Sequence, residues 1–305
     1  MMQFGGQSDA KIIMMGRYNS GKTSMRSIIF ANFHAKDTNK IAMTIGQDKT
    51  KLKLLGKLPV TLWDCGGQPK LMEQYFNTKK EIIFKNVEIL IFLFDVTTKE
   101  LDKDLSNYDN AIKSIIELSK DAKIFVFINK MDLIDESKRK SEFEIFKEKV
   151  IARSQNCNVE CIGTSIWDET LYKAWSKIVK VAVPNLIQIE NSISFLLKSC
   201  NADEVILLEK ETYLEICHVE EKKFDDIYRF EKISNIIKKF KLSTSIVFKS
   251  LFMRNINFSI YITEFTPSVN LMIIISDPAI TEGLIQINVE AAKEAFTKIM
   301  GDNSK

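Results

Sequence analysis

Several broad classes are closed to this sequence by what it lacks. Its five cysteines, Cys65, Cys157, Cys161, Cys200 and Cys217, are odd in number and include no C-x-x-C pair, which argues against a disulfide framework and favours a reducing, intracellular compartment. Neither sign of charge dominates, since 43 basic residues face 40 acidic ones and the formal net charge is +3. That balance gives no reason to expect nucleic acid as a partner, and Lys138-Arg139-Lys140 reads as a solvated face. Apolar runs long enough to span a bilayer are missing: Ile89 to Phe94 is closed by Asp95 and preceded by Glu88, so it reads as a buried strand. Met1-Met2-Gln3-Phe4-Gly5 has no secretory apolar region and no glycine directly after the initiator, and Gly301-Asp302-Asn303-Ser304-Lys305 has no prenylation cysteine. Direct membrane insertion is therefore not expected, and any membrane association would be borrowed from a partner.

What is present suits two domains. At 305 residues with 45% hydrophobic content, the chain can build two cores of ordinary size. Near its start, the apolar run Lys11 to Met15 leads into Gly16-Arg17-Tyr18-Asn19-Ser20-Gly21-Lys22-Thr23. This fits G-x-x-x-x-G-K-[ST], a loop whose backbone N–H groups cradle phosphate oxygens. Lys22 would reach the outer phosphates and the Thr23 hydroxyl would ligate Mg²⁺. The helix carrying Ser24, Met25, Ile28 and Ile29 would turn its positive end toward the same anion.

Strands and helices then alternate. Lys49 to Leu54 alternates Lys and Leu as an exposed edge strand does, and Leu58 to Trp63 runs into Asp64-Cys65-Gly66-Gly67-Gln68. Val87 to Asp95 and Lys123 to Asn129 flank a helix with Leu101, Leu105, Tyr108, Ile112 and Ile115 on its buried face. Val159 to Thr164 precedes a helix expected to bury Trp167, Leu171, Trp175, Ile178 and Val179. Strand, helix, strand at this spacing implies an α/β domain with a mostly parallel sheet flanked by helices. Pro184 ends it, giving a first domain over 1–183 and a second over 184–305. The second is expected to be α+β around an antiparallel sheet. Its elements are a helix from Leu186, strands Val205 to Glu209 and Tyr213 to Val219, a helix with Ile227, Phe230, Ile233, Ile237 and Phe240 inward, a hairpin about Thr266-Pro267-Ser268, and a last helix with Val289, Ala292, Phe296 and Ile299. No catalytic cluster is visible there; Cys217 and His218, adjacent on a strand, face opposite ways and read as packing residues.

Three further stretches carry chemistry. Asp64 ends a strand where a nucleotide-binding sheet needs a carboxylate for Mg²⁺, directly or through water, and Gln68 would orient an attacking water with Gly67 beside it. Asn129-Lys130-Met131-Asp132 follows another strand. A carboxylate at Asp132 accepts hydrogen bonds from N1–H and the exocyclic amine of guanine, which adenine does not offer in that arrangement. Such a site rejects the analogue lacking those groups by on the order of 10⁴-fold. Asn129 and the Lys130 stem would steady the loop and the ring, and backbone N–H groups following Thr164, at Ser165 and Ile166, would meet the guanine oxygen. Thr44, in an irregular stretch, would bind Mg²⁺ and close over the γ-phosphate, so that loss of the phosphate releases the loop. Gln68 to Phe76 would be the second mobile stretch.

With these motifs in place the chain resembles small GTPases, and more narrowly the A/B class of Rag GTPases. The narrower likeness lies in Thr23 to Asn32, Trp63-Asp64-Cys65-Gly66-Gly67-Gln68, Thr164 to Trp175 and Arg229 to Lys238. The resemblance implies a GTPase domain followed by a roadblock (longin-like) domain, GTP/GDP and Mg²⁺ as ligands, and hydrolysis that is slow until an activating protein acts. It also implies an obligate heterodimer with a C/D-class Rag, and a lipidated scaffold complex tethering an otherwise cytoplasmic protein to lysosomal or vacuolar membranes. Amino-acid sufficiency would then be relayed to TOR complex 1. Two residues depart from the pattern: Asn129 stands where animal Rag proteins usually carry histidine, and Tyr18 where small GTPases have glycine or another small residue. The Tyr18 ring would crowd the γ-phosphate or an incoming arginine finger. Two other readings stay open on sequence grounds: a dimerisation scaffold with a structural nucleotide, which Tyr18 favours, and a trafficking GTPase, which would need lipidation or an amphipathic N-terminal helix.

Overall fold

The computed structural model describes residues 9–54, 58–183, 186–221, 236–237 and 249–299. Two compact units divide the chain, Met1–Leu171 and Tyr172–Lys305. Pro184, on which the expected boundary rested, lies outside the described residues.

In the first unit, six strands order as β2-β3-β1-β4-β5-β6. They are β1 (Ala10–Met15), β2 (Gln47–Leu54), β3 (Leu58–Cys65), β4 (Ile89–Asp95), β5 (Lys123–Asn129) and β6 (Val159–Thr164). All neighbours run parallel except β2, which lies antiparallel to β3 at the edge. The pattern follows from composition. β4 and β5 are continuous apolar runs buried along nearly their whole length, as strands covered on both faces must be. Lysine-rich β2 takes the edge, where Lys49 and Lys51 are exposed.

Helices α1 (Lys22–Phe30), α2 (Pro69–Phe76), α3 (Lys80–Phe84), α4 (Leu101–Leu118) and α5 (Glu136–Arg153) connect the strands. α4 buries Leu105, Tyr108, Ala111, Ile112 and Ile115 at helical spacing. Its Tyr108 ring meets Phe92 and Phe94 edge-on at 5.2 and 5.6 Å, and Phe94 meets Phe146 of α5 at 5.3 Å. The parallel register aligns Met14 with Asp64, Asp95 with Asn129, and Asn129 with Thr164. Every motif loop therefore leaves the same, carboxyl-terminal edge of the sheet.

α6 (Thr170–Ala182) begins later than its sequence pattern suggests. Leu171, Trp175, Ile178 and Val179 are buried on it as expected, but Trp167 lies in the turn before it and is 61% exposed. Asp168 explains the late start: its carboxylate accepts hydrogen bonds from the N–H and hydroxyl of Thr170, capping the helix there.

The second unit contains a five-stranded antiparallel sheet ordered β8-β7-β11-β10-β9, consistent with a roadblock-like domain. Its elements are α7 (Leu186–Ser199), β7 (Glu204–Glu209), β8 (Glu215–Glu220), β9 (Ser250–Arg254), β10 (Ser259–Thr266), β11 (Val269–Ile275) and α8 (Glu282–Ile299). α7 buries Ile189, Ile193, Leu196 and Leu197. β10 and β11 form the expected hairpin, with Thr266 opposite Val269. β8 starts two residues later than expected because Tyr213 turns the chain at φ +57°. β9, paired with β10, was not expected from the sequence. Of the helix expected over Ile227 to Phe240, only residues 236–237 are described, and Ile237 is buried among Ile206, Leu208, Ile262 and Met272; the rest lies outside the described residues. Among the described residues, no helix is long and apolar enough to cross a membrane.

Candidate functional site

The phosphate loop hangs between β1 and α1, and its second glycine is fixed by two constraints. Gly21 has φ +101°, and a Cβ there would lie 2.3 Å from Nδ2 of Asn129. That amide nitrogen instead donates to the Ser20 carbonyl at 2.8 Å, while the Thr164 hydroxyl donates to the side-chain Oδ1 of Asn129 at 3.2 Å. One asparagine thus ties the base motif to the phosphate loop and to β6, and Asn19 completes the loop at φ +63°. Lys22 is buried, and its Nζ donates to the carbonyls of Gly16 at 2.7 Å and Arg17 at 2.8 Å. Burial pulls its pKa down to about 8, with the charge of Asp64 opposing that shift.

Behind the lysine, three oxygen-bearing side chains converge. Thr23 donates to Asp64 Oδ2 at 2.8 Å, so the 2.8 Å contact between the Thr23 and Thr44 hydroxyls has Thr44 as donor. Asp64 is fully buried, and its Oδ1 has no hydrogen-bond partner. Burial pushes its carboxyl pKa up, against the Thr23 hydrogen bond and the charges of Lys22 and Arg26. Two hydroxyls and an orphaned carboxylate oxygen are the hard donor set that Mg²⁺ prefers, so these residues fit that ion. Gln68 sits at the start of α2, where its Nε2 donates to the Thr44 carbonyl at 3.0 Å and its buried Oε1 is left without a partner. Within the stretch Gln68 to Phe76, expected to be mobile, Pro69–Phe76 forms the helix α2. A cavity of about 390 Å³ runs between the phosphate loop and residues 38–44, with Ser24, Thr44, Gly67 and Gln68 on its walls.

Tyr18 stands at the rim of this cavity and of a second groove between α2 and α4. Its N–H donates to the Gly67 carbonyl at 3.0 Å, and its ring, 44% exposed, has the Arg17 guanidinium 5.1 Å from its centroid. Arg17 in turn is ion-paired with Glu100.

At the base end, Ser165 donates to Asp132 Oδ1 at 2.7 Å. Lys130 takes a left-handed backbone conformation, φ +66°, and its Nζ pairs with Asp95 Oδ2 at 2.6 Å. Although burial alone would raise the pKa of Asp95, bonds from Lys130 and Thr97 hold it below the usual carboxylate range. Ile166 is half-buried beside Ser165.

The structure brings the expected residues of β1, β3, β5 and β6 together at one sheet edge, and adds three that sequence reasoning passed over. Arg26 reaches Asp48 at 2.6 Å and Thr50 at 2.7 Å, with its Nε 3.6 Å from Asp64. Tyr75 donates to the Gly46 carbonyl at 2.7 Å, and Asp95 anchors Lys130. Only Asp95 carried a signal, as a charge closing an apolar strand. Elsewhere, Cys217 is buried and His218 Nδ1 lies 2.7 Å from Glu215 in the second unit.

Comparison with known proteins agrees with this geometry. The family model for the Gtr1/RagA G protein conserved region matches residues 11–237. Ras-related GTP-binding protein A of Dictyostelium discoideum is 45% identical over 297 residues, covering 96% of this chain and 99% of that one. Ras-related GTP-binding protein B of Rattus norvegicus is 42% identical over 320 residues, covering 95% and 86%. Ras-related GTP-binding protein C of Mus musculus is more distant, 23% identical over 207 residues and covering 66% and 51%. On the family match and the near full-length identity to the A and B proteins, the chain belongs to the Gtr1/RagA family of G proteins, a family of GTP hydrolases.

Proposed function

We propose that the chain is a guanine-nucleotide-dependent switch of the Rag A/B type. The observation that carries this reading is the joining of two chemistries at one sheet edge: the Thr23, Thr44 and Asp64 oxygens beside Lys22, and the Asp132 carboxylate held by Ser165. Residues 16–24 bind the phosphates, and Lys22 offsets their charge. Thr23 and Thr44 would hold Mg²⁺ with Asp64 behind them, whose Oδ1 takes no hydrogen bond within the protein. When bound, that ion neutralises charge developing on the phosphate oxygens. Gln68 is tethered to Thr44 through its Nε2, and its Oε1, which takes no hydrogen bond within the protein, would turn out of its buried position to orient water. Loss of the γ-phosphate would leave Thr44 held only by the Thr23 hydroxyl and by Gln68 at its carbonyl, which loosens the loop.

Unstimulated hydrolysis is expected on the order of 10⁻⁴ per second, with an activating protein needed for faster turnover. The second domain, 184–305, pairs with a C/D-type Rag. A scaffold recruits the heterodimer from the cytoplasm to lysosomal or vacuolar membrane, and the GTP form relays amino-acid sufficiency to TOR complex 1. Support for this part is the family membership and the existence of related C-type proteins in the same superfamily.

Asp132→Asn tests the base assignment. The variant is expected to lose GTP affinity and gain xanthosine triphosphate affinity, each by at least tenfold; unchanged values for both would refute it. Tyr18 favours a second reading, in which bound nucleotide is structural, because its ring stands at the rim of the phosphate cavity next to Gly67. Single-turnover hydrolysis decides between them: no phosphate over many hours, with or without an activating protein, leaves the scaffold.

A further inference from the structure

The sequence contains three tryptophans. Trp63 and Trp175 are buried, at 8% and 1% exposure, whereas Trp167 is 61% exposed. A large aromatic left in water is ordinary when isolated on a surface, but the backbone of this one is bonded into the base loop. Trp167 N–H donates to Ser165 Oγ at 3.0 Å, and that same hydroxyl donates to Asp132 Oδ1 at 2.7 Å. Two hydrogen bonds thus link the tryptophan main chain to the carboxylate assigned to read guanine. Ser165 itself is completely buried, and its N–H donates to Thr170 at 2.8 Å, so the tryptophan stands on a fixed turn.

The opposite loop supplies the other half of the arrangement. A base held edge-on by Asp132 has two apolar faces to cover. The Lys130 stem, drawn taut by its Nζ pairing with Asp95, is available for one of them. Resting on the guanine-nucleotide reading above, we propose that Trp167 covers the base as a stacking lid, and that it is a positioning residue which slows nucleotide release without selecting among purines. Stacking does not select because every base offers a π-face; discrimination stays with Asp132. A lid of this kind hides an otherwise exposed indole when the nucleotide arrives.

The test uses the full-length protein with GDP and Mg²⁺, its bound nucleotide counted independently by chromatography. Acrylamide quenching of tryptophan emission should show one accessible indole without nucleotide and a loss of that accessibility with GDP. Trp167→Ala should release GDP roughly 5- to 150-fold faster, the range expected for loss of one base–aromatic stack, and Trp167→Phe should restore release to within about threefold of the parent. In an Asp132→Asn background, Trp167→Ala should speed xanthosine diphosphate release by a similar factor. An indole equally quenchable with GDP demonstrably bound, or a Trp167→Ala variant releasing at the parent rate, overturns the lid and leaves the base assignment standing. If no guanine nucleotide is retained by the parent protein, the underlying reading fails and the lid falls with it.

Discussion

Gly67 is the residue on which the phosphate loop and the Gln68 turn are pressed together. A Cβ there would stand 2.2 Å from Tyr18 N, 2.3 Å from Arg17 C and 2.4 Å from Gly16 O. All three are backbone atoms, which cannot swing aside as a side-chain end does. Gly67→Ala must therefore push the two loops apart and break the Tyr18 N–H bond to the Gly67 carbonyl. The strain is on the order of 1–3 kcal/mol, concentrated at the site and not in a core. The variant is expected to fold, with a melting temperature lowered by a few degrees, while GDP release accelerates at least tenfold; wild-type release kinetics would show that the two loops separate without consequence. Much of the site at this scale was legible in the sequence, because phosphate and guanine chemistry demand particular residue types at fixed spacing. Arg26 and Tyr75 were not, since each acts through tertiary contacts with Asp48, Asp64 or Gly46 that no local pattern announces.

Among the elements, the link from α6 to β8 depends on a buried carboxylate. Glu215 lies beside Lys180 of α6 and His218 of β8, and its N–H donates to Ser176 at 3.1 Å. Burial would raise the Glu215 pKa, but the hydrogen bond from His218 and the charge of Lys180 hold it below the ordinary 4.5, and the same hydrogen bond raises His218 above 6.5. The signs follow by linkage. The histidine contribution is complete below about pH 6.5 and is lost as pH rises through its raised folded value; the glutamate contribution is present above about pH 4.5 and is lost as pH falls through its depressed one. His218→Gln should accordingly cost about 1 kcal/mol near pH 6 and less near pH 8.5, read by urea unfolding at both pH values. A cost that is the same at the two, or larger at the higher pH, would contradict the pairing. Elements with strong periodicity, such as α4, and continuous apolar strands, such as β4 and β5, were legible from sequence. α5 was not, because charge runs nearly all round it and only Phe146 and Val150 are buried. β9 was missed for a related reason: as a half-exposed edge strand it has no clear alternation.

For the whole molecule, the two units carry separate apolar clusters, one built from β1, β3, β4, β5, α4 and α5, the other from β7, β10 and β11. Every proposed nucleotide contact belongs to the first unit, whose boundary is Leu171. A ligand that binds only the folded state stabilises whatever must fold to bind it, by about 2.7 kcal/mol at a hundredfold excess over its dissociation constant. Calorimetry of the full-length chain should therefore resolve two transitions, and Mg²⁺ with GDP should move one of them upward by several degrees while leaving the other within a degree. The His218→Gln change should move the complementary transition, since Glu215 and His218 lie in the second unit. Two perturbations acting on opposite transitions would show that nucleotide occupancy and integrity of the 172–305 unit are independently adjustable. A single transition displaced by both would mean that the units unfold as one cooperative block, and that nucleotide loss weakens the second unit as well.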